Sequence, residues 1–325
     1  MTAYILRRCL YAVPILIGVN LITFCLFFFV NTPEDMARLA LGAKHVTPEM
    51  VASWKQQHGY DRPMLFNAAA RGTGKLTETL FYQKSLRLFV LDFGSSDGGR
   101  DIGHDISQRM GPSLAIAVPT LIIALVVEVG IALLIVMFRA TYIDLFALVT
   151  CIVLMSISLL FYVIGGQYLI GKVWRLAPIS GFGDGMDAWR FVALPVFIGV
   201  IGGMGAGVRV YRTYFLEEQG RDFIRTARAK GLTDRVVLFR HLLGNAMIPV
   251  LTGLVVVLPS LFLGSLIMES FFGIPGLGSY TIEAIQNQDF AIVRAMVFLG
   301  SLLYVLGLLL TDISYTFVDP RVRLG

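Results

Sequence analysis

Several charged residues of this 325-residue chain lie within or beside long apolar runs. Glu128 lies in the middle of one run and Asp312 near the end of another, while Glu269 and Arg294 lie at the ends of their runs. Charges inside a bilayer are costly, and they are functional candidates for that reason. The run around Glu128 contains no basic residue. This leaves three alternatives for its carboxyl group: it meets a substrate amine, it is neutral, or it pairs with a group from another helix. Asp312 is expected to be structural.

No catalytic constellation accompanies these charges. Gly72-Thr-Gly-Lys75 resembles part of a phosphate-binding loop, but Ala69 and Leu76 stand where that motif needs Gly and Ser or Thr. The three cysteines lie in apolar stretches, and the four histidines form no ligand cluster. The sequence therefore predicts that the chain is not an enzyme, binds no metal or cofactor, and takes any chemical energy from a partner.

A basic stretch at 209–245 has the periodicity of two short helices separated by a glycine. Asp222 suits the start of the first helix, Gly231 suits its C′ position, and Thr233 suits the cap of the second. The apolar and small residues of the first helix share one face and its arginines share another, at spacings of three, four and seven. These residues are Phe223, Ile224, Ala227 and Gly231, against Arg221, Arg225 and Arg228.

The same stretch predicts a contact surface. Small residues at Ala227, Ala229 and Gly231 allow another protein to approach closely, and the surrounding basic side chains steer it electrostatically. Basic amphipathic helices also lie on lipid surfaces. The residues alone therefore leave two alternatives, docking of a protein and binding to the membrane surface.

Glycines mark two further places in the chain. Gly199, Gly203 and Gly207 recur at every fourth residue, which places them on one helix face and predicts close packing of another helix. Later, Pro275-Gly276-x-Gly278 follows Glu269 and predicts a tight turn. Such a turn is consistent with a gate or with a contact for an external protein, although a simple turn also explains these residues.

The composition requires a membrane to surround these elements. The chain is 56% hydrophobic and only 15% charged, against about 25% charged residues in soluble domains. These values argue against a soluble enzyme, a disordered chain and a nucleic-acid-binding protein. Six apolar runs are long enough to cross a bilayer. They cover residues 9–30, 113–138, 145–170, 191–208, 246–268 and 292–317.

The charge distribution predicts the orientation of these six helices. With the first run retained as a membrane anchor and the N-terminus inside, the inside segments carry thirteen Lys and Arg and the short outside loops carry three. This bias places both termini in the cytoplasm. The predicted fold is an all-α membrane protein with N-terminal helix 1–30, external segment 31–112, core 113–317 with cytoplasmic loop 209–245, and tail 318–325.

The external segment 31–112 carries signals for small helices and loops. Thr47-Pro48-Glu49 predicts a helix start, and His58-Gly59 predicts its end. Asp61-Arg62-Pro63 predicts a turn, the glycine-rich residues 93–99 predict a loop, and residues 102–110 predict a short helix at the membrane surface. The segment either contacts an external partner or only caps the helix bundle.

Several motifs resemble those of the binding-protein-dependent ABC transporter permeases, in the oligopeptide, dipeptide and nickel branch. The basic stretch is similar to the EAA-type loop of that family, with Arg225-Thr226-Ala227 in place of Glu-Ala-Ala. Ser158-Leu159 stands where the branch usually has Ser-Pro. The similar motifs are Tyr4-Ile-Leu-Arg-Arg8, Asp61-Arg62-Pro63, Asp92-Phe-Gly-Ser95, Pro178-Ile-Ser-Gly181, Asp222-Phe-Ile-Arg-Thr-Ala-Arg-Ala-Lys-Gly231, Glu269-x-x-Phe272-x-x-Pro275-Gly276-x-Gly278 and Val318-Asp-Pro-Arg-Val-Arg323.

The resemblance implies a permease subunit of the inner membrane with several partners. These are a homologous second permease, two cytoplasmic ATPases that hold ATP and Mg²⁺, and an external substrate-binding protein. The EAA-type helix of the family is the coupling helix that fits a groove on the ATPase. Carried over to this sequence, the coupling residues are Arg221, Asp222, Ile224, Arg225, Thr226, Ala227, Arg228, Ala229, Lys230, Gly231 and Leu232.

The resulting prediction is an ATP-driven importer of di- or oligopeptides that works by alternating access. Its predicted path or gate residues are Glu128, Glu269, Pro275, Gly276 and Gly278. The alternative is an ion- or proton-coupled secondary transporter that uses Glu128 and Asp312 and needs no ATPase.

Overall fold

The computed structural model describes residues 2–42, 46–183 and 185–318. Regular structure in these ranges is helical, with no strand apart from an isolated bridge between Ser95 and Asp101. Five helices are long and apolar enough to cross a membrane, and a bent pair gives a sixth if it is counted as one span. The expected all-α membrane architecture is confirmed at this level. Most of the predicted tail 318–325, including Arg321 and Arg323, lies outside the described residues.

Fifteen α-helical segments are numbered in chain order within the described part of the chain. They are α1 Thr2–Cys25, α2 Pro33–Leu41, α3 Pro48–Gln57, α4 Gly74–Thr77, α5 Leu80–Lys84, α6 Ile102–Met137, α7 Tyr142–Ser156, α8 Leu159–Gly166, α9 Ala188–Gln219, α10 Asp222–Ala229, α11 Asp234–Val236, α12 Leu243–Val257, α13 Leu266–Phe272, α14 Leu277–Gln286 and α15 Phe290–Val318.

The chain divides into two compact units. The first consists of the described residues of Met1–Met110 and Tyr280–Leu309. The second consists of Gly111–Ser279 and the described residues of Leu310–Arg323. The long helices α6 and α15 and the shorter α14 contribute residues to both units.

The first unit has a core of aromatic and aliphatic side chains between the end of α1 and the external helices. Thr47 caps α3 as predicted, because its side chain accepts a hydrogen bond from the amide of Met50. Thr32 caps α2 by the same chemistry and forms a capping box with Asp35, a helix that the sequence reasoning missed. The core residues are Phe24, Phe28, Met36, Ala37, Val51, Trp54, Tyr60 and Leu80.

The predicted surface helix at 102–110 is not a separate element. These residues form the first turns of α6, which continues through Pro112 and Pro119 to Met137. Asp101 begins the helix by accepting a hydrogen bond from the amide of His104 at 2.7 Å. The prediction stopped at Pro112 because proline removes a helical hydrogen bond, but membrane helices tolerate that loss where neighbouring groups compensate.

The predicted third span at 145–170 is broken. Helix α7 and the segment Leu159–Val173, which contains α8 and a π-helical extension, meet at an angle of 87°. Ile157 and Ser158 adopt extended backbone between them. The hydroxyl of Tyr162 donates to the carbonyl of Leu154 at 2.8 Å and thereby satisfies an acceptor that the break leaves free.

The fourth and fifth spans also differ from the predicted limits. Helix α9 extends the predicted 191–208 to Gln219. The fifth span covers Asp234–Leu263, because a positive φ of 69° at Gly264 ends it. The predicted end at residue 268 was wrong, since Leu266–Phe272 is the separate helix α13.

Candidate functional site: a basic surface helix and a cavity along helix α6

Helix α10 is held to the second unit by two of its apolar side chains. Ile224 is 1% exposed and Ala227 is 5% exposed. Both belong to a core that includes Val208 and Phe215 of α9 and Leu242. The sequence expectation for Ala227 needs correction, because this residue faces its own chain and is not open to another protein.

The opposite side of α10 is polar and open. The side chains of Asp222, Arg225 and Arg228 are 95%, 78% and 51% exposed. Arg225 lies 3.6 Å from Asp222, and Arg228 lies 3.5 Å from Asp234. Exposed pairs of this kind hold their side chains only weakly. The remaining open residues of the predicted coupling set are Arg221, Thr226, Ala229, Lys230, Gly231 and Leu232.

The end of α10 matches the predicted glycine stop. Gly231 has φ +78°, and its amide donates to the carbonyl of Arg228 at 2.9 Å. This left-handed conformation favours glycine at the C′ position. Thr233 then stands at the N-cap position of α11 in extended backbone, without a hydrogen bond from its side chain.

A cavity of about 580 Å³ follows one face of α6 within the second unit. Its wall on α6 runs from Ser113 through Thr120 to Glu128, roughly 22 Å at 1.5 Å per helical residue. Helix α9 contributes glycines, and the 3₁₀ segment Leu258–Leu263 with α13 closes another side. This volume is within the range of small-molecule sites.

Glu128 lies at one end of this cavity against the glycines of α9. Its side chain is buried, since the residue is only 7% exposed. A Cβ atom at Gly203 would lie 3.5 Å from Oε1, and a Cβ atom at Gly207 would collide with the carboxylate. Gly199 makes the same kind of close approach to Thr120, where a Cβ atom would lie 2.8 Å from Cγ2. The glycine face of α9 is thus the face that packs against α6.

Glu269 lies at the other end of the cavity and is saturated with hydrogen bonds. Its carboxylate accepts from the hydroxyl of Ser113 at 2.8 Å and from the amides of Ser265, Gly278 and Ser279 at 3.1, 2.7 and 3.1 Å. The residue is 1% exposed. Its geometry is that of a structural anchor, because no acceptor position remains open toward a substrate.

The turn that follows is built around Glu269. The amide of Gly276 donates to the carbonyl of Ile274 at 2.8 Å, and Pro275 is exposed at the tip. A Cβ atom at Gly276 would collide with the Glu269 carboxylate, and one at Gly278 would lie 2.6 Å from the backbone carbon of Ser265. Both glycines are therefore needed for close approach.

The sequence reasoning missed the ion pair between Asp144 of α7 and Arg212 of α9. Nη2 of Arg212 lies 2.9 Å from Oδ1 and 3.0 Å from Oδ2 of Asp144, and Nε lies 3.1 Å from Oδ1. Asp144 also accepts from the amide of Ala140 at 3.2 Å. The only sequence signal was an acid in the first turn of one helix and an arginine beyond the apolar part of another.

The two other charges singled out from the sequence lie on α15. Arg294 belongs to the first unit, is 3% exposed and places its guanidinium 5.5 Å from the ring centroid of Phe28. Asp312 belongs to the second unit and is partly exposed. Neither residue lines the cavity that contains Glu128.

Sequence comparison adds the relatives of this chain. Residues 128–324 match the family described as the inner membrane component of binding-protein-dependent transport systems, and residues 1–70 match the N-terminal region described for such components. The chain is 28% identical to the dipeptide transport system permease protein DppB of Escherichia coli K12, over 99% of each chain. It is 28% identical to the oligopeptide transport system permease protein AppB of Bacillus subtilis, over 99% of this chain and 100% of AppB. It is 30% identical to a putative peptide transport system permease protein of Brucella abortus, over 99% of each chain.

Proposed function

Because the chain belongs to the family of binding-protein-dependent transport system inner membrane components, it is a membrane-embedded permease subunit, and we propose that it moves di- or oligopeptides by alternating access. The chain is the transport component of an ATP-driven importer, and ATP with Mg²⁺ is held by partner ATPases. The peptide transport permeases that it matches over nearly the full length support this substrate class.

We place the chain in the inner membrane with both termini in the cytoplasm. The excess of Lys and Arg in the segments assigned to the inside supports this orientation. The external segment 31–112 then faces the substrate-binding protein, and the core 113–317 pairs with a second permease. The cytoplasmic loop 209–245 presents α10 to the ATPases.

The observation that carries the coupling role is that α10 is anchored to the core by one side and is open on the other. Ile224 and Ala227 fix the helix to the core, while Arg225 and Arg228 project from the opposite side. A rigid, exposed helix transmits movement of a bound partner better than a loose loop does. Its arginines steer an acidic surface toward it.

Reconstitution with the partner subunits tests this function. The complex in proteoliposomes should take up a labelled dipeptide only with ATP and the binding protein. Arg225→Glu and Ala229→Arg alter the open side of α10, so they should abolish ATPase retention and uptake while the permease stays folded. Arg139→Glu is the matched control, because it reverses an exposed charge on the same predicted membrane side but outside α10. Uptake without ATPases that collapses with the proton gradient would instead support the secondary transporter.

A further inference from the structure

We propose that the cavity along α6 is a binding site for the free ammonium group of the transported peptide and that Glu128 is the residue that recognises it. This inference rests on the proposed peptide import and adds a selectivity that the permease itself imposes. The site combines one carboxylate that has no hydrogen-bond donor among the described residues with walls that are largely apolar.

The first step concerns the hydrogen-bonding state of the two carboxylates in the cavity. Glu269 is saturated by Ser113 and three backbone amides. Glu128 is 7% exposed, and in the described residues its carboxylate has neither a hydrogen-bond donor nor an ion-pair partner. A buried carboxylate without a donor is costly. It therefore favours a ligand that brings a positive charge or N–H donors.

The second step concerns Arg209 and Arg212, the two arginines that follow the glycine face on α9. Arg209 of α9 directs Nη1 toward Sδ of Met155 at 3.5 Å. Arg212 is engaged by Asp144. Because both of these arginines turn toward α7, neither is a counter-charge to Glu128.

The third step concerns the space next to the carboxylate. Gly203 lines the cavity beside Glu128, and Thr120 and Ser260 line it farther along. The glycine leaves room for a ligand group at Oε1, whereas a larger side chain would fill it. The hydroxyl of Thr120 is already donated to the carbonyl of Ile116 at 2.7 Å. Charge recognition in the cavity therefore depends on Glu128, and the apolar walls accept the remainder of a small peptide.

A cysteine placed in the cavity reports on its occupant. Ser260→Cys is introduced into the complete transporter after its native cysteines have been replaced, and labelling is followed with cationic and anionic methanethiosulfonate reagents of similar size. Glu128 should favour the cationic reagent, and Glu128→Gln should remove that preference. Glu49→Gln is the control, because this exposed acid lies on α3, outside the cavity.

Protection by peptides then identifies the recognised group. Alanyl-alanine should slow labelling of the introduced thiol at about tenfold lower concentration in the protein that retains Glu128 than in Glu128→Gln, since a charge-assisted hydrogen bond is lost. N-acetyl-alanyl-alanine should protect both proteins equally. Equal protection of the thiol by alanyl-alanine in the protein that retains Glu128 and in Glu128→Gln would overturn the proposal. A preference for the cationic reagent without any protection by the peptide would also overturn it.

ATP-driven uptake by the unlabelled transporter separates the two proposals. If the transporter takes up peptide with ATP but Glu128 does not affect protection of the thiol, the import function stands and the ammonium site is rejected. If alanyl-alanine protects in a Glu128-dependent way but ATP drives no uptake, the site stands and the import function fails. Glu128→Asp keeps the charge and should retain the reagent preference, which guards against misfolding of Glu128→Gln.

Discussion

The carboxylate of Glu269 accepts a hydrogen bond from the amide of Gly278, nine residues later, at 2.7 Å. The same carboxylate binds the amides of Ser279 and Ser265 and the hydroxyl of Ser113. One buried side chain therefore joins the start of α13, the start of α14 and the body of α6. The glycine-rich motif after α13 is explained by this anchor, because Gly276 leaves room for the carboxylate.

Replacing Glu269 by alanine should destabilise the protein strongly. The substitution leaves the buried amides of Gly278 and Ser279 and the partly buried amide of Ser265 without their acceptor, and each unsatisfied group is costly. We expect a loss of about 3 kcal/mol or more in the free energy of unfolding. Unfolding in mixed micelles with increasing SDS measures it. Glu269→Gln should lose part of this amount, because the NH₂ group of glutamine cannot accept the hydrogen bonds that one carboxylate oxygen accepts.

An exposed acid of the same unit is the control for Glu269. Glu217 lies on α9 and is exposed. Substitutions on the surface usually change stability by about 0.5 kcal/mol or less. Glu217→Ala should therefore change the free energy of unfolding very little, and an equal loss in both variants would contradict the anchoring role of Glu269.

The contact between Glu128 and Gly207 predicts a mutation and its rescue. Gly207→Ala places a methyl group in the space of the carboxylate, so the free energy of unfolding should fall by about 1–3 kcal/mol. In a Glu128→Ala background that space is empty, and Gly207→Ala should cost little. A double-mutant cycle in SDS measures the coupling. Strict additivity of the two substitutions would contradict the contact.

Local signals were enough to predict the start of one short helix and the end of another from the sequence. Thr47 before Pro48 gave the start of α3, and Gly231 gave the end of α10, because the chemistry of a cap lies within a few residues. The apolar runs predicted where the spans lie, because hydropathy is also a local property, although the limits of the fourth and fifth spans differ from the prediction. The break at Ile157 and Ser158 was not predicted, since mean hydropathy carries no information about backbone direction.

The contacts that build the candidate site join residues far apart in the chain. Ser113 meets Glu269 over 156 positions, and Asp144 meets Arg212 over 68. Sequence spacing predicted the glycine face of α9 but not that this face packs against α6. It also indicated Glu128 but not its contact with Gly203 and Gly207. These pairings depend on how helices pack, which a single sequence does not specify.

Breaking the buried pair of Asp144 and Arg212 should destabilise the second unit. Asp144→Asn leaves a guanidinium that is 18% exposed without its charge partner, and such removals cost about 3–5 kcal/mol. Detergent unfolding of Asp144→Asn measures the loss. Asp187→Asn breaks an exposed pair with Arg190 at 3.7 Å and should cost almost nothing. A similar loss in both variants would contradict the assigned role.

Lys84 of the external segment should titrate well below an ordinary lysine. Burial and then the positive charge of Arg294 lower the pKa of Lys84 from 10.5 to about 8. Its Nζ lies 5.0 Å from the ring centroid of Tyr60. Burial raises the pKa of that phenol to about 12, so the ring stays neutral and supplies no counter-charge over this range.

The acylation rate of Lys84 against pH tests this titration. The rate, normalised to its plateau, should reach half of its maximum near pH 8, because the pKa is about 8. The reference compound Nα-acetyl-lysine amide should reach half of its maximum at about pH 10.4. Arg294→Gln removes a positive charge and should raise the midpoint, and Asp97→Asn removes a negative charge and should lower it. Because the unfolded chain binds the proton more tightly, the free energy of unfolding should rise with pH between about 8 and 10.5. A midpoint at the ordinary value of 10.5 with no response to Arg294→Gln would show that Lys84 is solvated.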